Sequence, residues 1–175
     1  MKFTANRMLM YQAVKTVLKA VRKSKDIPEI GGVLIEADAG SGILTLTGTD
    51  IRTHIQRRLQ QEHIEESGSI IITPVLSDML RLLVGEFVEF EANKGLVTLR
   101  SDTCCYTISY LEAKGFPKPQ IPFPEDTIQI KGINSLIRRT IFATDETADN
   151  YSTTTFSYVK LSFKGGITTA EATDG

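Results

Sequence analysis

Two stretches of the chain end alike, "GILTLTGTD" at residues 42–50 and "GITTAEATDG" at residues 166–175, and each contains a threonine followed by an aspartate. A pair of carboxylates such as Asp50 and Asp174 could serve as a general acid and a general base. Both aspartates, however, follow equivalent alternating runs, and a residue at the end of a strand commonly accepts hydrogen bonds from nearby backbone N–H groups. We therefore predict that Asp50 and Asp174 are turn residues and not a catalytic pair.

The histidines and cysteines predict no other chemistry. His54 and His63 lack neighbours at metal-ligand spacing, and we expect both on the surface. Cys104 and Cys105 are adjacent, and in a strand their side chains would point to opposite faces, so we expect two reduced thiols. The chain contains no glycine-rich phosphate loop, Gly-x-Ser-x-Gly or Cys-x-x-Cys. The sequence thus predicts no catalytic residue, no metal and no cofactor.

Charge is balanced over the whole chain, with 20 Lys and Arg against 21 Asp and Glu. A positive surface must therefore arise from segregation of the charges. After Arg7, apolar residues recur at helical spacing at Met10, Val14, Val17 and Val21. Basic residues recur at a similar spacing at Lys15, Lys19, Arg22 and Lys23. The pattern predicts one helix with an apolar face and a basic face.

The composition is that of an ordinary globular protein, with 41% hydrophobic and 23% charged residues. No run of about 18 apolar residues could span a membrane. Asn6 and Arg7 interrupt the apolar residues near the N-terminus, which argues against a signal peptide. We expect a cytoplasmic protein.

The elements that must position these residues form a repeat. Residues 1–60 read as a strand, a helix and the three strands "VLIEAD", "ILTLTGTD" and "IRTHIQRRL". The next block repeats this order with "SGSIIIT", a helix opened by Pro74, and the strands "FVEFEAN", "LVTLRSD" and "CYTISYLE". A third block has the strand "TIQIKG", a helix from Asn134, and the strands "FSYVKLSF" and "ITTAEATD". One short helix on a small sheet buries too little to be stable alone, so two units must share a core.

This repeat predicts the domain organisation. Residues 1–120 hold two β-α-β-β-β units and form a first domain. Residues 121–126 belong to a proline-rich linker, "GFPKPQIPFPED". Residues 127–175 hold one truncated unit of an incomplete second domain.

The segments "MKFT", "LTLTGTD", "GLVTLRSDTCCYTISYLEAKGFP" and "ATDG", in this order, resemble the N-terminal half of the bacterial DNA polymerase III β subunit, the β sliding clamp family. The resemblance implies an α+β DNA clamp fold of repeated β-α-β-β-β units, with antiparallel sheet outside and helices on the inner face. In the family the second Thr-Asp-Gly is followed by many more residues, so the resemblance implies a shortened chain.

The function implied by the resemblance is that of a processivity factor, which performs no catalysis of its own. Such a clamp encircles duplex DNA as a ring-shaped homodimer and tethers the replicative polymerase. The implied partners are the DNA backbone, polymerase III and the clamp-loader subunits. No cofactor and no membrane are implied.

The resemblance also implies two sets of site residues. The expected DNA contacts are Lys19, Arg22, Lys23, Lys25, Arg81, Arg138, Arg139, Asn150 and Tyr151. Val75 and Leu76 stand where the family usually has a basic residue on the second helix, which leaves Arg81 on that helix. The expected remnant of a pocket for partner peptides is Phe156, Thr173 and Gly175.

Two other classes of protein fit the sequence. One is a stand-alone, clamp-like interaction domain that forms no ring, which the mass in solution would distinguish. The other is a small enzyme with an unrecognised site, which a specific activity abolished by one substitution would reveal.

Overall fold

The computed structural model describes residues 1–61, 63–102, 104–118, 129–144 and 154–174. The chain divides into two compact units, residues 1–120 and residues 121–175. The predicted linker, residues 121–126, lies outside the described residues.

The described residues of the first unit form two α-helices and nine strands in the order that the repeat predicts. They are β1 (Lys2–Asn6), α1 (Arg7–Val17), β2 (Val33–Asp38), β3 (Ile43–Thr49), β4 (His54–Gln60), β5 (His63–Glu66), β6 (Gly68–Ile72), α2 (Val75–Leu82), β7 (Phe87–Asn93), β8 (Leu96–Arg100) and β9 (Cys105–Glu112). The two predicted β-α-β-β-β repeats are confirmed, and β5 is a strand that the sequence analysis did not predict.

The two repeats are interlocked through their first strands. The nine strands form one sheet in the order β4-β3-β2-β6-β9-β8-β7-β1-β5, with antiparallel pairing throughout. Strand β1 of the first repeat pairs with β7 of the second, and β6 of the second repeat pairs with β2 of the first. Neither repeat therefore has a complete sheet without the other.

The sheet curls because a single stretch of chain can pair with different strands along its length. Within β9, residues 105–109 pair with β8 and residues 110–112 pair with β6. Strands β4 and β5 repeat this arrangement, since β4 pairs with β3 and β5 pairs with β1. They stand at opposite ends of the strand order but only residues 61 and 62 separate them, so the two edges of the sheet must approach each other.

The core lies between the curled sheet and two helices that pack against each other, α1 and α2. Helix α1 contributes Met10, Val14 and Val17, all fully buried. Helix α2 contributes Leu76 and Leu80, also fully buried. The apolar residues that recur at helical spacing in the sequence are therefore those by which α1 packs on the sheet.

Helix α1 ends earlier than the basic periodicity predicts. It stops at Val17, a 3₁₀ turn covers Leu18–Ala20, and Val21 is extended with φ −82° and ψ 128°. The prediction of one helix that includes Arg22 and Lys23 is therefore wrong. The chain leaves the helical path because Ala20 is buried and Val21 packs against the core beside Gly48 of β3. Burial of these two residues outweighs continued helical hydrogen bonding.

In the second unit, the described elements are α3 (Ile133–Thr140), β10 (Lys160–Lys164) and β11 (Ile167–Glu171), with β10 and β11 paired antiparallel. The predicted strand "TIQIKG" is wrong for residues 129–132, where Gly132 adopts a left-handed conformation with φ 73° just before α3. Residues 127 and 128 lie outside the described part. Strand β10 begins at Lys160, later than the predicted strand "FSYVKLSF". Phe156, the first residue of that predicted strand, lies instead in a 3₁₀ turn, Thr154–Ser157.

Candidate nucleic-acid interface

Positive charge is concentrated at the end of α1 and in the residues that come after it. We call residues 15–25 the basic segment; it carries Lys15, Lys19, Arg22, Lys23 and Lys25 and no acidic residue. All five side chains are exposed. Within the described ranges, none of them forms an ion pair. The segment therefore presents its charge to solvent without neutralisation.

The predicted DNA contacts Lys19, Arg22, Lys23 and Lys25 lie close together in the chain, but not on one helical face. Lys19 lies in the 3₁₀ turn, and the other three follow in non-helical chain. The hydroxyl of Ser24 accepts hydrogen bonds from the backbone N–H groups of Asp26 and Ile27, both at 3.2 Å. This local turn gives the segment a defined path despite the lack of a helix.

The turn at Asp50 confirms the prediction made for that aspartate. Its Oδ1 atom accepts hydrogen bonds from the backbone N–H groups of Arg52, at 3.0 Å, and Thr53, at 2.6 Å. The Thr53 N–H chiefly holds the pKa of the Asp50 carboxyl below its ordinary value, and the Arg52 N–H and the Arg22 charge act in the same direction. The Asp50 carboxylate therefore stabilises the turn by accepting these backbone hydrogen bonds. Asp174 is exposed beyond the end of β11, and its turn role stays a prediction.

The other predicted cations have different surroundings. Arg81 lies in the last turn of α2 and forms an exposed ion pair with Asp78 at 3.6 Å, so part of its charge is compensated. Arg138 and Arg139 are exposed in the last turn of α3, where positive charge complements the helix dipole.

Part of the predicted site cannot be placed. Asn150, Tyr151 and Gly175 lie outside the described residues. Phe156 is half-buried in its 3₁₀ turn, and Thr173 is exposed after β11. The roles of Phe156, Thr173 and Gly175 in peptide binding, and of Asn150 and Tyr151 in DNA binding, remain predictions.

Among the described residues, the histidines and cysteines do not come together in one site. His63 is exposed and lies 3.4 Å from Glu65. His54 is half-buried, and its Nδ1 atom is screened from solvent without a hydrogen-bond partner in the described part of the chain, so the prediction of a surface histidine is wrong there. Cys104 and Cys105 form no disulfide within the described part of the chain, as predicted. The described residues contain no group of three metal-binding side chains.

Arg52 is not among the predicted DNA contacts. This arginine is exposed and lies in the Asp50 turn, directly after β3, the strand that contacts α1 and the 3₁₀ turn at its end.

Two interlocked β-α-β-β-β repeats, with paired helices against a curled antiparallel sheet, define a clamp fold. The model of the family described as "DNA polymerase III beta subunit, N-terminal domain" matches residues 1–122. The chain therefore belongs to the DNA polymerase III beta subunit family.

Individual relatives agree with this assignment. The beta sliding clamp of Bacillus subtilis (strain 168) is 32% identical over 156 residues, which cover 82% of this chain and 40% of the relative. The beta sliding clamp of Chlamydia muridarum is 29% identical over 182 residues, which cover 100% of this chain and 47% of the relative. A crystal structure of the DNA polymerase sliding clamp from Bacillus subtilis superposes with a TM-score of 0.82 at 26% identity and covers 99% of this chain and 47% of that one. The chain thus spans about half the length of the relatives it matches.

No described helix is long and apolar enough to cross a membrane.

Proposed function

We propose that this chain contributes part of a DNA sliding clamp, which holds duplex DNA by its backbone and keeps a replicative polymerase at its template. The observation that carries the proposal is the exposed, unneutralised basic segment at the end of α1, in a double unit that matches the clamp family over residues 1–122. The proposed role is mechanical, because tethering raises the effective concentration of the polymerase without any bond being made.

The chemistry of the basic segment suits loose binding of a polyanion. Lysine and arginine side chains contact phosphate oxygens, which carry no sequence information, so such a surface can slide along DNA. The overall charge of −1 supports a local rather than a general attraction to DNA.

The proposal predicts that the charge of the basic segment determines DNA affinity. We expect the unaltered chain to bind a labelled duplex with the affinity of ordinary non-specific contacts, a Kd of about 10⁻⁴–10⁻⁶ M at physiological salt. Replacing Lys19, Arg22, Lys23 and Lys25 with glutamine should weaken binding more than about tenfold and lower the slope of log K against log salt by about 0.9 for each phosphate that is no longer neutralised. Fluorescence anisotropy at several salt concentrations measures both quantities.

A matched control removes the same charge elsewhere. Glutamine at Arg58, Lys94, Arg100 and Lys114, all exposed, gives the same change in net charge. We expect this variant to retain nearly all of the affinity and the salt slope. An equal loss in both variants would show that net charge, and not the basic segment, attracts the DNA.

We further propose that the chain associates with itself. Large apolar side chains are exposed in both units: Leu82 (59%), Val84 (62%), Phe142 (82%) and Ile167 (67%). Exposed apolar patches commonly mark interfaces, and the second unit buries no residue of α3 among its described elements.

Self-association predicts a sedimentation coefficient that rises with protein concentration in the micromolar range. The variant L82E/V84E tests the surface of the first unit, and F142S/I167S tests that of the second. At least one pair should reduce association. A chain that sediments as a monomer throughout would instead support the stand-alone domain without ring formation.

A further inference from the structure

A second apolar cluster lies on the face of the sheet that is turned away from α1 and α2, which we call the outer face. Leu34 of β2 pairs with Ile71 of β6, and each is 1% exposed. Side chains alternate along a strand, and the neighbours of Leu34, Val33 and Ile35, belong to the core beneath the helices. Phe116, which is 6% exposed, packs against the Leu34–Ile71 pair. A segment that follows β9 therefore covers the outer face at this point.

This segment, residues 113–118, is called the clasp. It begins with a turn in which the backbone N–H of Phe116 donates a hydrogen bond to the carbonyl oxygen of Ala113 at 3.1 Å. Gly115 has φ 97° in this turn, a left-handed conformation that glycine adopts without strain. The turn directs the chain from β9 back across the outer face, so that the ring of Phe116 reaches the apolar pair.

The clasp also makes a polar contact with β2. The Nζ atom of Lys118 lies 2.6 Å from the Oε1 atom of Glu36. Residues 115–118 are the first four of the proline-rich stretch "GFPKPQIPFPED". These four residues therefore belong to the first unit, although their composition is that of a linker.

Few contacts hold the clasp closed. The ladder between β9 and β6 ends at Glu112, and no described residue of the clasp pairs with a strand. Lys118 is exposed, so its ion pair contributes little. The buried ring of Phe116 is the main contact. A segment held by one side chain can open locally while the sheet beside it stays intact.

We propose that the clasp is a conformational device with two positions, which sets the length of chain between the two units. In the closed position, Phe116 packs on Leu34 and Ile71. In the open position, residues 113–118 leave the outer face and lengthen the linker by six residues, or up to about 20 Å of extended chain. The helices and strands of the first unit stay folded in both positions. This inference does not depend on the binding of DNA.

The first arm of the test is limited proteolysis of the full chain with trypsin. The bond between Lys114 and Gly115 lies within the clasp, and its cleavage rate follows the population of the open position. We expect F116A to raise this rate more than about tenfold, because the variant loses the main apolar contact. The bond between Lys94 and Gly95, in the turn from β7 to β8, has the same two residue types and is also exposed. Its cleavage rate should not change, and mass spectrometry of the fragments measures both rates.

Two further variants serve as controls in the same experiment. F87A removes an identical side chain that is 54% exposed and should leave the cleavage after Lys114 within about twofold of that of the unaltered chain. K118Q removes only the exposed ion pair and should raise the cleavage about twofold. Equal cleavage after Lys114 in F116A and in the unaltered chain would overturn the inference. Equal acceleration after Lys114 and Lys94 in F116A would also overturn it, since Phe116 would then support the whole unit and not a releasable segment.

The second arm measures the length of the connection. Small-angle X-ray scattering, at a protein concentration low enough to avoid self-association, should give a larger maximum dimension for F116A than for F87A or the unaltered chain. The increase should not exceed the six residues that the open clasp releases, about 20 Å. Faster cleavage of F116A after Lys114 without any increase in dimension would show that opening does not lengthen the connection, and would overturn the proposed device.

Discussion

Replacing Phe90 with alanine is expected to destabilise the first unit by about 3–5 kcal/mol, the usual cost of removing a fully buried aromatic side chain. Phe90 lies on β7 with no exposed surface, and its ring stacks on that of Phe3, with centroids 4.7 Å apart. Phe3 belongs to β1, so this ring pair joins the first repeat to the second across the exchanged strands. The cavity would therefore open at the junction on which both repeats depend.

Phe87 provides the matched control, since it lies on the same strand and is 54% exposed. The Phe87→Ala variant should change the free energy of unfolding by no more than about 0.5 kcal/mol, as most surface substitutions do. Urea-induced loss of circular dichroism measures both variants under the same conditions. Similar midpoints for the two would mean that the Phe3–Phe90 pair does not hold the repeats together.

Gly48→Ala should destabilise the first unit by about 3 kcal/mol, at the upper end of the usual cost of overpacking. A Cβ atom at this position would overlap the carbonyl oxygen of Val17 and would lie 3.1 Å from the Cγ2 atom of Val21. Backbone atoms cannot rotate away as a side chain can, so the end of α1 would have to move from β3. Because the basic segment begins there, the variant should also lose DNA affinity at temperatures where it stays folded.

Gly31→Ala is the control for Gly48→Ala. An added Cβ at Gly31 would meet no atom within 4 Å, and the residue has no left-handed backbone. Its stability should stay within about 0.5 kcal/mol of that of the unaltered chain. If Gly48→Ala unfolded at the same urea concentration as Gly31→Ala, the contact between β3 and the end of α1 would be far looser than the structure shows.

The sequence predicted the repeated elements well where periodicity and burial agree. The alternation in "FVEFEAN" gives β7 with the bounds that the structure has, because every second residue faces the core. The turn at Asp50 was also predictable, since its hydrogen bonds lie within four residues of one another. Strand β5 escaped prediction because only four residues form it and its partner, β1, is about sixty residues away.

The sequence by itself determined the order of helices and strands, the family resemblance and the presence of a cationic stretch after α1, because these depend on residues close together in the chain. Only the tertiary structure decided how that stretch is presented. Packing of Ala20 and Val21 near Gly48 ends the helix before Arg22, so its cations follow a turn and not a helical face. Contacts between segments about thirty residues apart leave no periodic signal in a sequence, and they depend on the three-dimensional fit of the end of α1 against β3.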